Sequence, residues 1–170
     1  MKNKEFLNII NSLIKENNIE IKRIRKTNSG RAFFKSRQIE IPEPTNIDKF
    51  LTCLHEIGHI VNDKSSNPLW KSEFIATKFA NDYCKKYNIK IPEKSERHIK
   101  IYVKSCICKG LVRNLNIDNV DDEILTYAQI DKKYWKKLLN SGFRPFVYRD
   151  TGNINWYKKQ KYNSNENKTF

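Results

Sequence analysis

The apolar positions near the start of the chain repeat at helical spacing and then change to a shorter period. Residues 4 to 16 form an amphipathic pattern that ends at Asn17-Asn18, and this pattern predicts a helix. Residues 19 to 26 alternate and residues 31 to 41 form an extended run, which predicts strands on both sides of a turn at Asn28-Ser29-Gly30. We therefore expect at least one antiparallel pair of strands in this part of the chain.

Two helical patterns follow a break that contains two prolines. The first begins after Thr45 or Asn46, either of which can cap a helix, and it continues to Val61. A loop is expected from Asp63 to Pro68, and a second helix from about Leu69 to Tyr87. A loop of this length lets the second helix fold back over the first.

The second half of the chain is predicted to be mainly helical and to end in a hairpin. Helical spacing returns from Ser95 to Leu111, and further helices are expected over residues 120 to 130 and 131 to 140. The segments FRPFVYR and INWYK flank Asp150 to Asn153, a pattern typical of a β-hairpin whose turn is centred on the glycine. Residues 163 to 170 are expected to be disordered.

Composition adds a strong positive charge to this picture. The 170 residues fit one domain and are 38% hydrophobic with a mean hydropathy of -0.75, so the apolar residues must be concentrated on buried faces. The net charge of +14 comes from 33 Lys and Arg against 19 Asp and Glu, and it favours anionic partners such as nucleic acid. A compositional bias towards lysine and asparagine explains the charge equally well.

The cysteines and the start of the chain bear on the compartment of the protein. The cysteines lack CxxC spacing and are expected to be reduced core thiols: Cys53, Cys84, Cys106 and Cys108. Asn8, Asn11 and Ser12 interrupt the apolar positions near the start, so no secretory signal is expected. No segment approaches the length of a membrane span. We therefore expect a cytoplasmic protein without a membrane partner.

The first of the two central helices carries the segment LHEIGHIV, residues 54 to 61. Histidines four positions apart project from one face of a helix, so His55 and His59 can share one tetrahedral zinc ion. Glu56 lies too far around the helix to be a ligand beside both histidines, yet it is close enough to act on a water at the metal. The motif therefore predicts one Zn²⁺ per chain, with Glu56 as the general base.

A catalytic zinc site needs a third protein ligand and one open position. The metzincin class would place a further histidine six residues after His59, where this chain has Ser65, so that class is excluded. Glu73 follows His59 by fourteen residues on the second helix and is the clearest candidate. Asp63 and Asp82 are weaker competitors.

The order of helix, strands, HExxH helix and then E-x-x-A-x-x-F-A, here residues 73 to 80, resembles the ImmA/IrrE family of gluzincin-like metallopeptidases. Members of that family are compact zincins that cleave, or are thought to cleave, transcriptional repressors. By this resemblance the zinc ligands would be His55, His59 and Glu73, and the catalytic base would be Glu56. The resemblance covers about residues 4 to 88.

Two positions depart from the family pattern. Thr77 stands where the family usually has Asn or Asp, and its hydroxyl could still accept a hydrogen bond from the free ring N–H of a ligating histidine. Asn81 to Cys84 replaces a leucine-rich stretch that ends in Met-Pro. Thr77 is therefore expected to orient a zinc ligand.

These patterns predict an α+β fold with a zincin-like core over residues 1 to 92. The core is expected to consist of a helix, a small antiparallel sheet, the HExxH helix and the glutamate-bearing helix. Residues 93 to 162 are expected to form a helical extension and the terminal β-hairpin, packed on the core in the same domain.

Weaker candidates lie outside the motif. His98, Tyr83 or Tyr102 could stabilise the oxyanion of peptide hydrolysis. The strand before the motif helix could pair with an extended substrate, although core packing explains its phenylalanines equally well; its residues of interest are Arg31, Phe33 and Phe34.

The region from Phe143 to Tyr162 mixes aromatic and basic residues in a way suited to stacking bases and neutralising phosphates. The aromatic members are Phe143, Phe146, Tyr148, Trp156, Tyr157 and Tyr162, and the basic members are Arg144, Arg149, Lys158, Lys159 and Lys161. The bland interpretation is a small hairpin that buries aromatics and exposes charges.

The favoured function is a zinc-dependent metallo-endopeptidase that hydrolyses a specific protein substrate, such as a transcriptional repressor or another DNA-bound regulator. The alternative is a zinc-bound zincin-like module without turnover that binds nucleic acid or a protein partner. A protease with a toxin-like or DNA-repair role would use the same chemistry. The HExxH motif does not encode the substrate, because specificity depends on contacts in the cleft.

Overall fold

The computed structural model of the protein describes residues 3–62, 68–113, 115–148 and 152–158, and its fold is α+β. These residues form six α-helices, one short 3-10 helix and five strands. The chain divides into two compact units, Met1–Val103 and Lys104–Phe170. The division falls within the fourth helix, whereas the sequence pattern placed the end of the core at residue 92.

The first unit contains three helices, three strands and the first part of the fourth helix. In chain order the elements are α1 (Asn3–Glu16), β1 (Glu20–Arg25), β2 (Arg31–Phe33), β3 (Gln38–Pro42), α2 (Ile47–Val61), α3 (Leu69–Lys86) and α4 (Glu93–Val112). The four helices confirm the predicted ones to within about two residues at each end, which is the usual uncertainty of helix bounds.

The three strands form a mixed sheet in the order β1-β3-β2. β2 and β3 pair antiparallel, which confirms the expected antiparallel pair. β1 and β3 pair parallel, so the prediction of a small antiparallel sheet is wrong for that half of the sheet. The predicted single run over residues 31 to 41 is also wrong, because a turn over residues 34–37 divides it into two strands.

The path of the chain explains the parallel pair. After β1, residues 26–30 cross to the far side of β3, so β2 runs back antiparallel and the next turn inserts β3 between its two neighbours. Ile39 and Ile41 of β3 are buried, whereas most of β1 is exposed. The most apolar strand therefore takes the central position, with a neighbour on each side.

α2 connects the sheet to the other helices of this unit. The side-chain oxygen of Asn46 accepts the backbone N–H of Lys49 at 3.0 Å, which identifies Asn46 as the cap. Phe50 is fully buried and stacks on Phe6 of α1, with 4.3 Å between the ring centroids. Of the loop predicted between α2 and α3, residues 63–67 lie outside the described residues.

The second unit contains the remainder of α4, a 3-10 helix (Ile117–Asn119), α5 (Asp122–Tyr127), α6 (Lys132–Asn140) and the strands β4 (Phe143–Val147) and β5 (Ile154–Lys158). α5 and α6 confirm the two further helices, and the antiparallel pairing of β4 with β5 confirms the hairpin. Gly152 has φ +72°, a left-handed conformation that glycine adopts without strain. Residues 149–151 and the expected disordered tail lie outside the described residues.

The four cysteines are free and buried, which confirms their prediction as core thiols. Burial raises the pKa of the thiols of Cys53 and Cys108 to about 12 and that of Cys84 to about 11. Among the described residues, no helix has both the length and the apolar character needed to cross a membrane.

Candidate metal centre

α2 places His55 and His59 one helical turn apart on the same face. Their rings meet edge to face with centroids 4.6 Å apart, and their Nε2 atoms are separated by 3.1 Å. Two ring nitrogens therefore point to one small volume beside the helix. The HExxH spacing predicts this convergence.

α3 brings the carboxylate of Glu73 to the same volume. Its Oε2 lies 3.0 Å from Nε2 of His55 and 3.4 Å from Nε2 of His59. Burial opposes ionisation of Glu73, but the hydrogen bonds to the two histidines outweigh it and lower the pKa of the carboxyl to about 2. The structure thus groups the three predicted ligands: His55, His59 and Glu73.

The triangle formed by these three atoms fits the ligand set of a tetrahedral zinc ion. Zinc bonds to nitrogen and oxygen of about 2.0–2.1 Å, at tetrahedral angles, require ligand atoms about 3.3 Å apart. The three separations of 3.0, 3.1 and 3.4 Å bracket that value. Three protein ligands leave a fourth position open, as in a catalytic zinc site.

Hydroxyl groups of α3 contact the remaining ring nitrogens. Oγ1 of Thr77 lies 3.3 Å from Nδ1 of His55, and Oγ of Ser72 lies 3.2 Å from Nδ1 of His59. When these hydroxyls accept a hydrogen bond from Nδ1–H, the Nε2 atom of each histidine carries a lone pair. Each lone pair is directed at the Nε2 atom of the other histidine and at the carboxylate of Glu73. A cation at the centre would remove the repulsion between these lone pairs. Outer contacts of this kind fix the tautomer and the ring orientation of histidine ligands in zinc proteins.

The contact of Thr77 agrees with its expected role, since it is buried and faces a candidate ligand. The contact of Ser72 was not predicted. Serine is common on helix surfaces, and only the crossing of α3 over α2 brings this one to His59. The only sequence feature that points to this contact is that Ser72 directly precedes Glu73.

The strand residues proposed from the sequence differ in the groups that they contact. Phe34 follows β2 and contacts His59 edge to face, with 5.9 Å between ring centroids, so it packs against a candidate ligand. Phe33 lies under the cationic groups of Lys22 and Arg31, at 4.1 and 5.1 Å from its ring centroid. β2 is an edge strand of the sheet, as pairing with an extended substrate requires.

Glu56 lies beside the candidate ligands in a tightly packed environment. A Cβ atom added to Gly30 would lie 2.4 Å from Cγ and 2.6 Å from Oε1 of Glu56, so the absence of a side chain at residue 30 makes room for this carboxyl. Burial raises the pKa of Glu56, although the nearby His55 and His59 lower it in part. A carboxyl group with increased proton affinity is suited to accept and return a proton.

A cavity of about 540 Å³ adjoins Glu56 and His55. Residues 28–30, α2, α3 and the first turns of α4 line it, all of them in the first unit. The hydroxyl of Ser95 donates to Oδ1 of Asp48 at 2.5 Å, which ties α4 to the first turn of α2. The cavity can therefore accommodate a substrate segment next to the predicted base.

Two of the three predicted oxyanion donors line this cavity. His98 and Tyr102 lie one turn apart on α4, and the ring of Tyr102 is 6.3 Å from that of His55 between centroids. Tyr83 lies elsewhere on α3, where its ring is 4.5 Å from that of Tyr87 between centroids. Among the residues that line the cavity, Tyr83 is not included.

Of the weaker candidates for the third ligand, Asp82 is exposed on α3 and does not join the group. Asp63 lies outside the described residues. Within the part of the chain that the structure describes, only His55, His59 and Glu73 form a cluster with the geometry of a metal site.

No family model, no curated protein and no solved structure matches this chain.

Proposed function

We propose that the protein is a zinc-dependent metallo-endopeptidase with a gluzincin-like core of the ImmA/IrrE type, acting in the cytoplasm. The observation that carries the proposal is the triangle of His55, His59 and Glu73, whose three ligand atoms are spaced as tetrahedral zinc requires. A buried carboxyl next to the triangle and a cavity beside that carboxyl support hydrolysis over a purely structural metal site.

The residues of the site have distinct roles in this proposal. His55, His59 and Glu73 would hold the zinc ion. When bound, zinc would act as a Lewis acid on the substrate carbonyl and lower the pKa of a water molecule. As the oxygen of the attacking water bonds to the carbonyl carbon, Glu56 accepts a proton from that water. It then returns the proton to the amide nitrogen as the C–N bond breaks.

Stabilisation of the oxyanion is assigned to α4. Tyr102 and His98 both face the cavity, and either side chain can donate a hydrogen bond to the oxygen that gains negative charge. Tyr102 is the stronger choice because its ring contacts that of His55. A Tyr102→Phe variant should lower kcat with little change in KM, since this donor acts mainly in the transition state.

The substrate is proposed to be a protein segment in extended conformation. Among the described strands, β2 lies at an edge of its sheet, and a peptide could extend the sheet there. A repressor or another DNA-bound regulator suits the net charge of +14, because such a charge attracts the protein to nucleic acid and hence to proteins bound there.

The first experiment measures zinc in purified wild-type protein, Glu73→Ala and Asp82→Ala by elemental mass spectrometry after identical dialysis. About one zinc per chain is expected in the wild type and in Asp82→Ala, which removes an exposed carboxylate of the same helix, with a large loss in Glu73→Ala. Wild-type protein that remains free of zinc after reconstitution would overturn the proposal.

The second experiment tests turnover. Wild type and Glu56→Gln are incubated with a peptide library derived from a cellular proteome, and new amino termini are identified by labelling and mass spectrometry. New termini are expected with the wild type only, while both proteins retain zinc. Retained zinc without any new terminus would favour the alternative function, a zinc-bound module without turnover. The exposed aromatic residues of the hairpin specifically favour that alternative.

A further inference from the structure

The hairpin of the second unit has two faces of different character. The register pairs Arg144 with Tyr157 and Phe146 with Asn155, so alternation places Phe146 and Tyr157 on the same face. Tyr148 continues this face, because its backbone N–H donates to the carbonyl of Asn153 at 3.0 Å. We call Phe146, Tyr148 and Tyr157 the hairpin aromatic face.

The opposite face of the hairpin already fills the local core. Pro145 and Val147 are buried there, and Trp156 meets the buried Trp135 of α6 edge to face, with 5.0 Å between ring centroids. The contact of the hairpin with the buried Trp135 therefore comes from the face of Trp156. Burial of hydrophobic residues explains one face of the hairpin and leaves the other unexplained.

The three rings of the hairpin aromatic face are substantially exposed. Phe146, Tyr148 and Tyr157 expose 52%, 50% and 45% of their surface. Phe146 and Tyr148 contact each other edge to face at 5.2 Å between centroids, an arrangement that leaves ring faces uncovered by the pair. A cluster of exposed aromatic rings usually marks a binding surface.

The charge of the same segment identifies the class of partner. Residues 143 to 162 contain five basic residues and one acidic residue; the basic ones are Arg144, Arg149, Lys158, Lys159 and Lys161, and the acidic one is Asp150. Of the basic residues that the structure describes, Arg144 lies on the aromatic face and its Nη1 donates to the carbonyls of Leu139 and Phe143, whereas Lys158 is exposed at the end of β5 on the opposite face. We propose that the hairpin aromatic face binds single-stranded nucleic acid, with bases stacked on its rings and phosphates attracted by the net charge of +14.

The spacing of the rings favours a single strand over a duplex. The rings of Phe146 and Tyr148 are perpendicular with centroids 5.2 Å apart, whereas stacked bases of one DNA strand are parallel and rise by about 3.4 Å. Bases that stack on Phe146 and Tyr148 must therefore unstack from each other. A single strand allows this separation, whereas a duplex resists it because its bases remain stacked and paired.

Fluorescence anisotropy of the full-length protein tests the proposal. The probe is fluorescein-labelled oligothymidylate of about 15 nucleotides, within the range of known single-strand site sizes, compared with a labelled duplex of equal length. The variants Phe146→Leu, Tyr148→Leu and Tyr157→Leu keep the charge and much of the apolar surface but remove the ring. Each should weaken binding of the single strand about 5- to 100-fold, as expected for loss of one stacking partner.

Matched controls separate the hairpin rings from other exposed tyrosines and nucleic-acid binding from the proposed peptidase activity. Tyr134→Leu removes a tyrosine of α6 that is 54% exposed, and it should bind as the wild type does. Glu56→Gln should also bind unchanged, since this proposal does not depend on hydrolysis. Circular dichroism verifies that each variant retains its helices.

Three outcomes would overturn the proposal. They are leucine variants that bind like the wild type, a duplex that binds as tightly as the single strand, and a wild type that binds neither probe. Sedimentation of the wild type and of Phe146→Leu adds a decisive comparison. Self-association that is lost in the variant, together with absence of nucleic-acid binding, would assign the face to a second copy of the chain instead.

Discussion

The backbones of α2 and α3 meet at Gly58 and Ala76. A Cβ atom at residue 58 would lie 2.9 Å from the carbonyl oxygen of Ala76 and 3.1 Å from its Cα, closer than helices carrying side chains at this point can approach. In sequence, Gly58 lies between the two histidines of α2, and Ala76 follows Glu73 by three residues on α3. The contact sets the separation of the two helices and so determines whether Glu73 reaches His55.

The substitution Gly58→Ala should therefore weaken both the fold and the metal site. The added methyl group meets backbone atoms of Ala76, which cannot move without displacing α3. We expect a loss of about 1–3 kcal/mol in the free energy of unfolding, the usual cost of overpacking. Zinc affinity, measured by competition with a chromogenic chelator, should fall as well. Unchanged affinity would mean that α3 does not depend on this contact for its position.

The substitution Gly30→Ala should lower catalytic activity and leave the metal site unchanged. The added Cβ meets the buried Glu56 side chain from Cγ at 2.4 Å to Oε1 at 2.6 Å, so this side chain has to move while the three ligands stay in place. Displacement of a catalytic group by about 1 Å can lower the rate about 100-fold. We expect kcat to fall to this extent with zinc content unchanged. A variant that keeps full activity would show that Glu56 does not need its present position.

Removal of the hydroxyl groups that contact the histidines tests their part in metal binding. Thr77→Val keeps the volume of a side chain that is 1% exposed, but it cannot accept a hydrogen bond from Nδ1 of His55. Ser72→Ala makes the same change at His59. Each variant should bind zinc about 10- to 100-fold more weakly, the typical cost of losing such an outer contact. Circular dichroism controls for folding, and equal affinity in both variants and wild type would contradict the assigned role.

The sequence predicted the parts of this site that depend on short-range order. Helical periodicity gave the bounds of α2 and α3, and the HExxH spacing gave His55 and His59, because one helical turn relates them directly. The choice of Glu73 depended on the two helices folding back on each other, and the structure groups it with both histidines. Binding of zinc by this group stays a prediction.

The features that the sequence did not predict depend on contacts between distant segments. The parallel pairing of β1 with β3 follows from the crossing of residues 26–30, which alternation of apolar residues does not encode. The same crossing places Gly30 against Glu56. Nothing in the local pattern distinguishes Gly30 from an ordinary turn glycine, nor Ser72 from an ordinary surface serine. Their roles become visible only when strands and helices are in place.

The buried thiols make stability sensitive to high pH. Cys84 has a pKa raised from 9.0 to about 11 in the folded protein, so the unfolded chain loses this proton at lower pH than the native one. Its contribution is fully present below pH 9 and is lost as the pH rises towards 11. At about pH 10 the free energy of unfolding should therefore be about 1 kcal/mol lower per raised thiol than at pH 8.

Urea denaturation of reduced protein at these two pH values measures the effect, and Cys84→Ala isolates one thiol. The variant is less stable at both pH values because it loses buried volume, but its stability should fall less between them. The difference between the two falls is the contribution of Cys84, and it should equal about 1 kcal/mol. An identical fall in wild type and variant would mean that the thiol of Cys84 is ionised as readily in the native protein as in the unfolded chain.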